Sequence, residues 1–303
     1  MLTEIHIFLT YKCTYECDHC FLYSNPEADG TITIQQIRNV LEESQKIGSV
    51  KWIYFEGGEP FLFYPLLFEG VKLARNMGFQ VGIVTNAYWA TSQKVAELKL
   101  RPLQELGLDF LSISDDIFHN RGRTDNFAKR ALTVAHKLGI PSSPICIQKP
   151  FVEALPGQGL EKGAPVVGGG AMFKGRAVDK LTEGLPQKPW DKLIQCPHED
   201  LQSPSRVHLD SHGHIHLCQG ISMGNIWQRP LSELIDEYKA GEHPICAPLT
   251  MGGPAALARQ YEVDHEEEYI DECHFCYLTR RELIDRFPMY LAPRQVYGLD
   301  AKE

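Results

Sequence analysis

The sequence contains no run of basic residues. Thirty Lys and Arg stand against 39 Asp and Glu, giving a formal net charge of −9 and a pI near 5.8. A protein that tracks phosphates needs a basic face, so nucleic acid is not expected as a partner. Long apolar runs are missing too. The longest, from Phe61 to Phe68, is broken by Pro65 and far too short for a bilayer, so no membrane partner is expected. The opening Met-Leu-Thr-Glu offers neither a basic segment nor a small-residue cleavage site. A signal peptide is therefore not expected, and the cytoplasm is the expected location. No solenoid repeat and no low-complexity segment occurs, and Glu266-Glu267-Glu268 is too short to be more than a solvated face. What remains is a globular composition of 303 residues, 43% hydrophobic and 10% aromatic. It also has nine cysteines, which a reducing compartment does not explain as disulfides.

Short apolar strands alternate with amphipathic helical stretches in the first half. Strand-like runs fall at 4–9, 52–55, 81–85, 108–114 and 145–148, with helix-like runs at 33–47, 66–77, 92–106 and 127–138. Several helices end in glycine (Gly48, Gly78, Gly107, Gly139), the residue that most readily takes a left-handed C-cap. This order predicts βα units on a parallel sheet. Five units plus a sixth strand near 165–167 predict an incomplete barrel rather than a closed eightfold one. The pattern then changes. Residues 156–170 are rich in Gly and Pro and read as a loop. Beyond it lie a hairpin (206–209 and 214–218), a helix from Pro230, a Gly/Pro/Ala segment (252–258) and a last helix around 277–286. The expected domains are residues 1–185 and 186–303.

Cys13, Cys17 and Cys20 form a C-x3-C-x2-C loop directly after the first strand. Three thiolates this close can bind three corners of a metal–sulfur cube and leave the fourth iron open to a small molecule. The alternative is a zinc knot completed by His19 or a distant residue. Gly57-Gly58-Glu59-Pro60 follows the second strand. Paired glycines let a ligand approach bare backbone, and Pro60 ends the strand. In a parallel barrel the loops after successive strands share one rim, so the two loops are expected to be neighbours.

This combination resembles the radical S-adenosylmethionine (radical SAM) superfamily over roughly residues 4–150. The resemblance implies a partial (βα)6 TIM-like barrel, a [4Fe-4S] cluster on Cys13, Cys17 and Cys20, and SAM on the open iron. It implies that the Gly57–Pro60 turn holds the methionine amino group. An electron from the cluster would then split SAM to a 5′-deoxyadenosyl radical that takes a hydrogen atom from the substrate. The position before the last cysteine, commonly aromatic in the family and near the adenine, is His19 here. Thr85, Asn86, Ser112, Ser114, Asp115 and Gln148 end later strands on the same rim. Most are expected to cap helices. Asn86 is also carried as a cofactor contact, Ser114 matches a serine that contacts SAM, and Arg130 matches an arginine that holds the SAM carboxylate. Asp115 and Asp116 are candidates for ribose or substrate.

Cys196, Cys218, Cys273 and Cys276 are two single cysteines and a C-x2-C hook, able to close either a zinc or a cubane site. With Gly175-Arg176-Ala177, Gly213-x4-Cys218, Met223-Gly224-Asn225-Ile226 and Pro230-Leu231, the stretch 172–286 resembles the twitch module, a shortened SPASM domain. The resemblance implies a small C-terminal α+β iron-sulfur domain with one auxiliary [4Fe-4S] cluster held wholly by protein. Cys246 is the natural substitute should Cys196 not serve. Cys146, inside an apolar run, is expected to be a small buried hydrophobe. His212, His214 and His216 alternate and are expected on a solvated hairpin face, with no carboxylate obviously placed to complete a metal site.

The expected function is a radical SAM enzyme with two clusters, supplied with electrons by a donor such as flavodoxin or ferredoxin. Its substrate is expected to be a peptide or a small molecule. With the first strand near residue 4, no peptide-recognition extension is expected before it, and a peptide substrate is expected to need a separate recognition partner. The competing expectation is a non-catalytic protein with two zinc sites.

Overall fold

Strand alternation sets the architecture. In the computed structural model, which describes residues 1–120, 125–154 and 165–299, the chain runs β1 (Glu4–Thr10), α1 (Ile34–Ile47), β2 (Trp52–Gly57), α2 (Tyr64–Asn76), β3 (Gln80–Thr85), α3 (Gln93–Glu105), β4 (Phe110–Ser114), α4 (Ile117–Asn120), α5 (Phe127–Lys137) and β5 (Ser142–Ile145). It continues through β6 (Phe151–Ala154), β7 (Pro165–Gly168), α6 (Arg176–Lys180), β8 (Lys188–Pro189), β9 (Arg206–Leu209), β10 (His214–Cys218), β11 (Ile221–Asn225), α7 (Leu231–Glu237), α8 (Cys246–Tyr261), β12 (Glu268–Tyr269) and α9 (Glu272–Leu283). Ile5, Ile7, Ile53, Phe55, Val81, Ile83, Leu111 and Ile113 are completely buried on one face of the sheet. That face takes the helices: Gly70 of α2 leaves room for Phe55 and for Ile37 of α1. The intervening residues, among them His6, Tyr54, Glu56, Ser112 and Ser114, lie on the opposite, inner face.

The helices start and stop where local chemistry directs. Thr33 forms a capping box with Gln36, and Ser92 and Asn126 accept hydrogen bonds from Val95 and Lys129 backbone amides. Gly48, which caps α1, has φ +75°, as the left-handed cap requires.

One eight-stranded sheet has the order β11-β10-β9-β1-β2-β3-β4-β5, with β9 and β1 to β5 parallel. It is an open, mostly parallel sheet with helices on one face, which agrees with the partial TIM-like barrel. Several expectations change. The sixth parallel strand is β9, beside β1. Residues 165–168 instead pair antiparallel with β6 as a separate ribbon; two short strands flanking a Gly/Pro-rich segment found each other. Residues 155–164 of the expected loop lie outside the described residues. The fifth strand is also three residues earlier than the apolar run suggests. As a sheet edge, β5 tolerates Pro144, whose missing N–H would have no partner there. The last helix starts at Glu272, so the Cys273/Cys276 hook lies inside α9, capped by Asp271. The 252–258 segment lies within α8, which breaks at Gly252 and Gly253. The sheet runs across residue 185, because β9 to β11 extend it past β1. Among the described residues no helix is long and apolar enough to cross a membrane.

Candidate functional site

Parallel strands deliver their following loops to one rim, and the cysteine loop is the first of them. Cys13 and Cys17 are buried and Cys20 partly so, among Tyr15, Phe118, Tyr88, Ile147 and Leu181. The Cys13 amide donates to Asn25 O at 3.0 Å and the Cys20 amide to Cys17 O at 3.1 Å. Arg176 holds the loop from outside. Its guanidinium donates to Cys17 O at 2.8 Å and Ser24 O at 3.0 Å, and its amide to Cys20 O at 2.9 Å. Gly175 makes this approach possible: with φ +63°, it sits where a Cβ would come within 2.4 Å of Phe21 Cα. Burial, aided by the Glu59 charge, pushes the Cys13 thiol up to about 12. A thiolate there needs a compensating cation, as a metal–sulfur cluster supplies.

The double-glycine turn is adjacent, as expected, and its glycines also allow it to pack closely on the cysteine loop. A Cβ on Gly57 would meet Thr10 O at 2.5 Å, and one on Gly58 would meet Lys12 O at 2.1 Å. Gly58 N donates to Thr10 O at 2.7 Å and Glu59 N to Lys12 O at 2.9 Å. Pro60 follows as the first residue of a short 3-10 turn. The Glu59 carboxylate is wholly buried and accepts from Thr85 Oγ1 (2.8 Å), Asn86 N (2.7 Å) and Phe61 N (3.0 Å). Burial pushes it up to about 7 against these three hydrogen bonds. Glu59 thus ties the ends of β2 and β3 together. Gly58→Ala is expected to cost about 1–3 kcal/mol, because backbone must move to admit the methyl. Gly241→Ala, with open space around it, should stay within about 0.5 kcal/mol. Denaturant midpoints of the two variants check this.

Two buried polar atoms beside the cysteine loop have no partner: His19 Nδ1 and Asp116 Oδ2. His19 packs on Phe118 with ring centroids 4.5 Å apart and meets His119 edge-on at 5.5 Å. Burial pulls His19 down to about 4, so it is a neutral ring able to stack or hydrogen-bond. Asp116 bonds His119 Nδ1 at 2.8 Å through its other oxygen. Burial works to raise its pKa, but His119 overcomes that and the pKa is lowered. Orphaned groups of this kind fit a polar nucleotide against the loop. Asn86 joins them, donating to Cys13 Sγ at 3.5 Å and Thr14 Oγ1 at 3.2 Å. Ser114 ends β4 on the inner face, opposite Ile145. Arg130 donates to Ala90 O at 2.5 Å and pairs with Asp125. Asp115 binds the side-chain amides of Asn120 and Asn126.

The structure also gathers the second cysteine set. Cys196, Cys218, Cys273 and Cys276 line one pocket together with Lys174 and Arg280. Gly253 brings Cys196 there: a Cβ at that position would strike Gln195 N at 2.2 Å. Cys246 does not line the pocket; it is fully buried and shares a hydrogen bond with Tyr238. Lys174 Nζ lies 3.5 Å from Cys218 Sγ and 2.5 Å from Gln219 Oε1. Arg280 donates to Gln219 O at 2.8 Å and Tyr297 Oη at 3.0 Å. Lys174 and Arg280 are only 3% and 1% exposed, and neither forms a salt bridge with a carboxylate within 4.0 Å among the described residues. Burial disfavours the Lys174 charge, yet the Cys218 and Cys273 thiolates hold its pKa above the ordinary lysine range. Burial pushes Cys276 up to about 11.

Ligand atoms of three or more His, Cys, Asp or Glu residues converge within 4.8 Å at two places among the described residues: His6–Glu56–His208 and His19–Asp116–His119. Neither cysteine set is that tight, whereas a tetrahedral zinc ion would hold its sulfurs about 3.8 Å apart. Two sequence expectations are corrected. Cys146 is exposed, because β5 ends before it. His216 is fully buried, since β10 lies inside the sheet. Its Nε2 is 3.1 Å from Asp210 Oδ2, a carboxylate that also accepts from Tyr11 Oη at 2.9 Å. Arg176 was legible only as part of a Gly-Arg-Ala string, and Lys174, Arg280 and Asp210 carried no spacing signal.

Residues 7–149 match the radical SAM superfamily. A Bacillus subtilis protein named for peptide biosynthesis, YydG, is 30% identical over 115 residues, 38% of this chain and 36% of its own length. The tungsten-containing aldehyde ferredoxin oxidoreductase cofactor-modifying protein of Pyrococcus furiosus is 27% identical over 135 residues, 44% of this chain and 34% of its own length. The matched stretches thus span about a third of these curated relatives. The crystal structure of BtrN in complex with AdoMet and 2-DOIA is similar in fold, with a TM-score of 0.51 and 15% identity over 78% of this chain and 82% of that one. The cysteine loop, the turn packed on it and the first five parallel strands therefore belong to a radical SAM superfamily domain, which implies a [4Fe-4S] cluster and SAM.

Proposed function

We propose that the chain is a radical SAM enzyme that binds its SAM-coordinating [4Fe-4S] cluster through Cys13, Cys17 and Cys20 and an auxiliary [4Fe-4S] cluster through Cys196, Cys218, Cys273 and Cys276. On this reading residues 1–185 are the radical SAM barrel, with β9 added to its sheet beside β1, and residues 186–303 carry a twitch-like module. When bound, the first cluster and SAM supply a 5′-deoxyadenosyl radical that removes a hydrogen atom from the substrate. The chain's own residues orient and shield that chemistry. Arg176 fixes the cysteine-loop carbonyls, the Gly57–Pro60 turn closes on the loop, and His19, Asp116 and Asn86 offer polar atoms to the nucleotide.

The observation that supports two clusters most is electrostatic. Lys174 and Arg280 are buried cations with no carboxylate within 4.0 Å among the described residues; they share a pocket with four thiols and with Glu272, and Glu199 also acts on Lys174. Buried charges persist when paired, and a cluster held by four thiolates is an anion of the matching kind. Neither set brings three sulfurs within 4.8 Å of one another among the described residues, which suits a cluster better than a zinc ion. Full thiolate ligation leaves no open iron at the second site, which favours electron transfer over substrate binding there. The substrate is a peptide or a small molecule; likeness to YydG favours the peptide. A donor such as flavodoxin or ferredoxin would supply electrons.

The test is anaerobic reconstitution with metal and sulfide analysis, followed by turnover with a deuterated candidate substrate. The reading expects about eight iron and eight sulfide per chain and deuterium in 5′-deoxyadenosine. A colourless protein with about two zinc per chain would favour the non-catalytic alternative.

A further inference from the structure

Three adjacent strands bring His6, Glu56 and His208 together on the inner face of the sheet, with no cysteine among them. His6 of β1 pairs directly with His208 of β9, while Glu56 of β2 lies opposite Phe8, one step along the same face. A single carboxylate oxygen, Glu56 Oε1, is 2.9 Å from His6 Nδ1 and 3.4 Å from His208 Nε2. The three side chains are only 10–15% exposed. His6 Nε2, the ring nitrogen that does not face Glu56, is buried 3.5 Å from the Glu4 carboxylate.

We propose that His6, Glu56 and His208 form a binding site for a divalent transition-metal ion such as Zn²⁺, Fe²⁺ or Co²⁺. The chemistry of the donors supports it. Two imidazole nitrogens and one carboxylate suit these ions, and three protein ligands leave coordination positions open. With His6 Nδ1 on the metal, its Nε2–H faces Glu4, the carboxylate partner that ligating histidines usually have. The rings are already fixed. Tyr54 stacks on His6 at 4.5 Å, and Phe8 lies 5.2 Å from His208. His6 stands four residues below the end of β1, about 13 Å along the strand from the rim at 3.3 Å per residue. An ion there would lie in the lumen beneath the cysteine loop, placed to anchor a carboxylate, hydroxyl or amine of a molecule held above it. The inference does not rest on the proposed function, because no cysteine takes part.

The test uses the full chain with both cysteine sites loaded with iron and sulfide, treated with chelator and dialysed against micromolar Co²⁺. Elemental analysis of wild type should find one cobalt per chain with iron unchanged. Anomalous scattering at the cobalt edge should place it among these three residues. Glu56→Gln, which keeps shape and packing, and His208→Ala should each weaken cobalt binding at least tenfold, with unchanged iron content as the check on folding. Absence of cobalt from wild type overturns the proposal, as does cobalt located elsewhere or equal binding by Glu56→Gln. Loss of SAM cleavage with cobalt retained would count against the proposed function and leave this site standing.

Discussion

Replacing Cys13, Cys17 and Cys20 together with alanine is expected to abolish reductive SAM cleavage while leaving about half of the iron, roughly four per chain, in place. The reason lies in the separation of the two thiol sets. The first sits at the end of β1, held by Arg176 and the Gly57–Pro60 turn. The second is assembled by β10, the Gly253 break in α8 and the first turns of α9. Nothing in the second pocket depends on the replaced sulfurs, so its visible absorbance should persist. The loss should be complete rather than graded, because no other cysteine lines the first site among the described residues. Iron and sulfide analysis with a 5′-deoxyadenosine assay checks both halves of the expectation. Cleavage surviving the triple change would refute the assignment of the first site.

The second large effect should follow from removing the buried cations. Lys174→Met and Arg280→Met preserve bulk and delete a charge that faces four sulfurs. Leaving a buried ion without its partner costs about 3–5 kcal/mol. Each single variant should therefore make reduction of the auxiliary cluster harder, since the added electron loses a neighbouring positive charge. For a one-electron couple a shift on the order of 100 mV to lower potential follows, taking 59 mV per tenfold. The double variant should lose the second site's iron and keep the first site's. EPR-monitored redox titration separates these results. An unchanged midpoint with full iron in the double variant would mean that Lys174 and Arg280 do not serve a cluster.

How much of this was legible in the sequence depends on how local each signal is. The βα alternation, the helix caps and the 206–218 hairpin are written in periodicities of a few residues, and they fold as read. The cysteine loop and the Gly57–Pro60 turn are contiguous motifs, and strand order placed them side by side. What lay hidden was pairing across distance. Nothing near Val207 says that β9 lies beside β1, so the sequence points to a sixth strand near 165–167 and hides the His6–His208 pair. The same holds for Asp210 beneath His216 and for Lys174 beside Cys218, contacts that depend on chains meeting after long separations. The packing role of the turn's glycines is likewise hidden in the sequence, because only the fold reveals which backbone a Cβ would strike.

The central claim is that one iron corner at the Cys13, Cys17 and Cys20 site is open to SAM. The most direct measurement is EPR of the dithionite-reduced, reconstituted protein before and after SAM is added. The account predicts signals from two clusters, with SAM altering the g-values of one and leaving the other unchanged, and with 5′-deoxyadenosine appearing on longer incubation. Two signals both indifferent to SAM, with no 5′-deoxyadenosine formed, would contradict it.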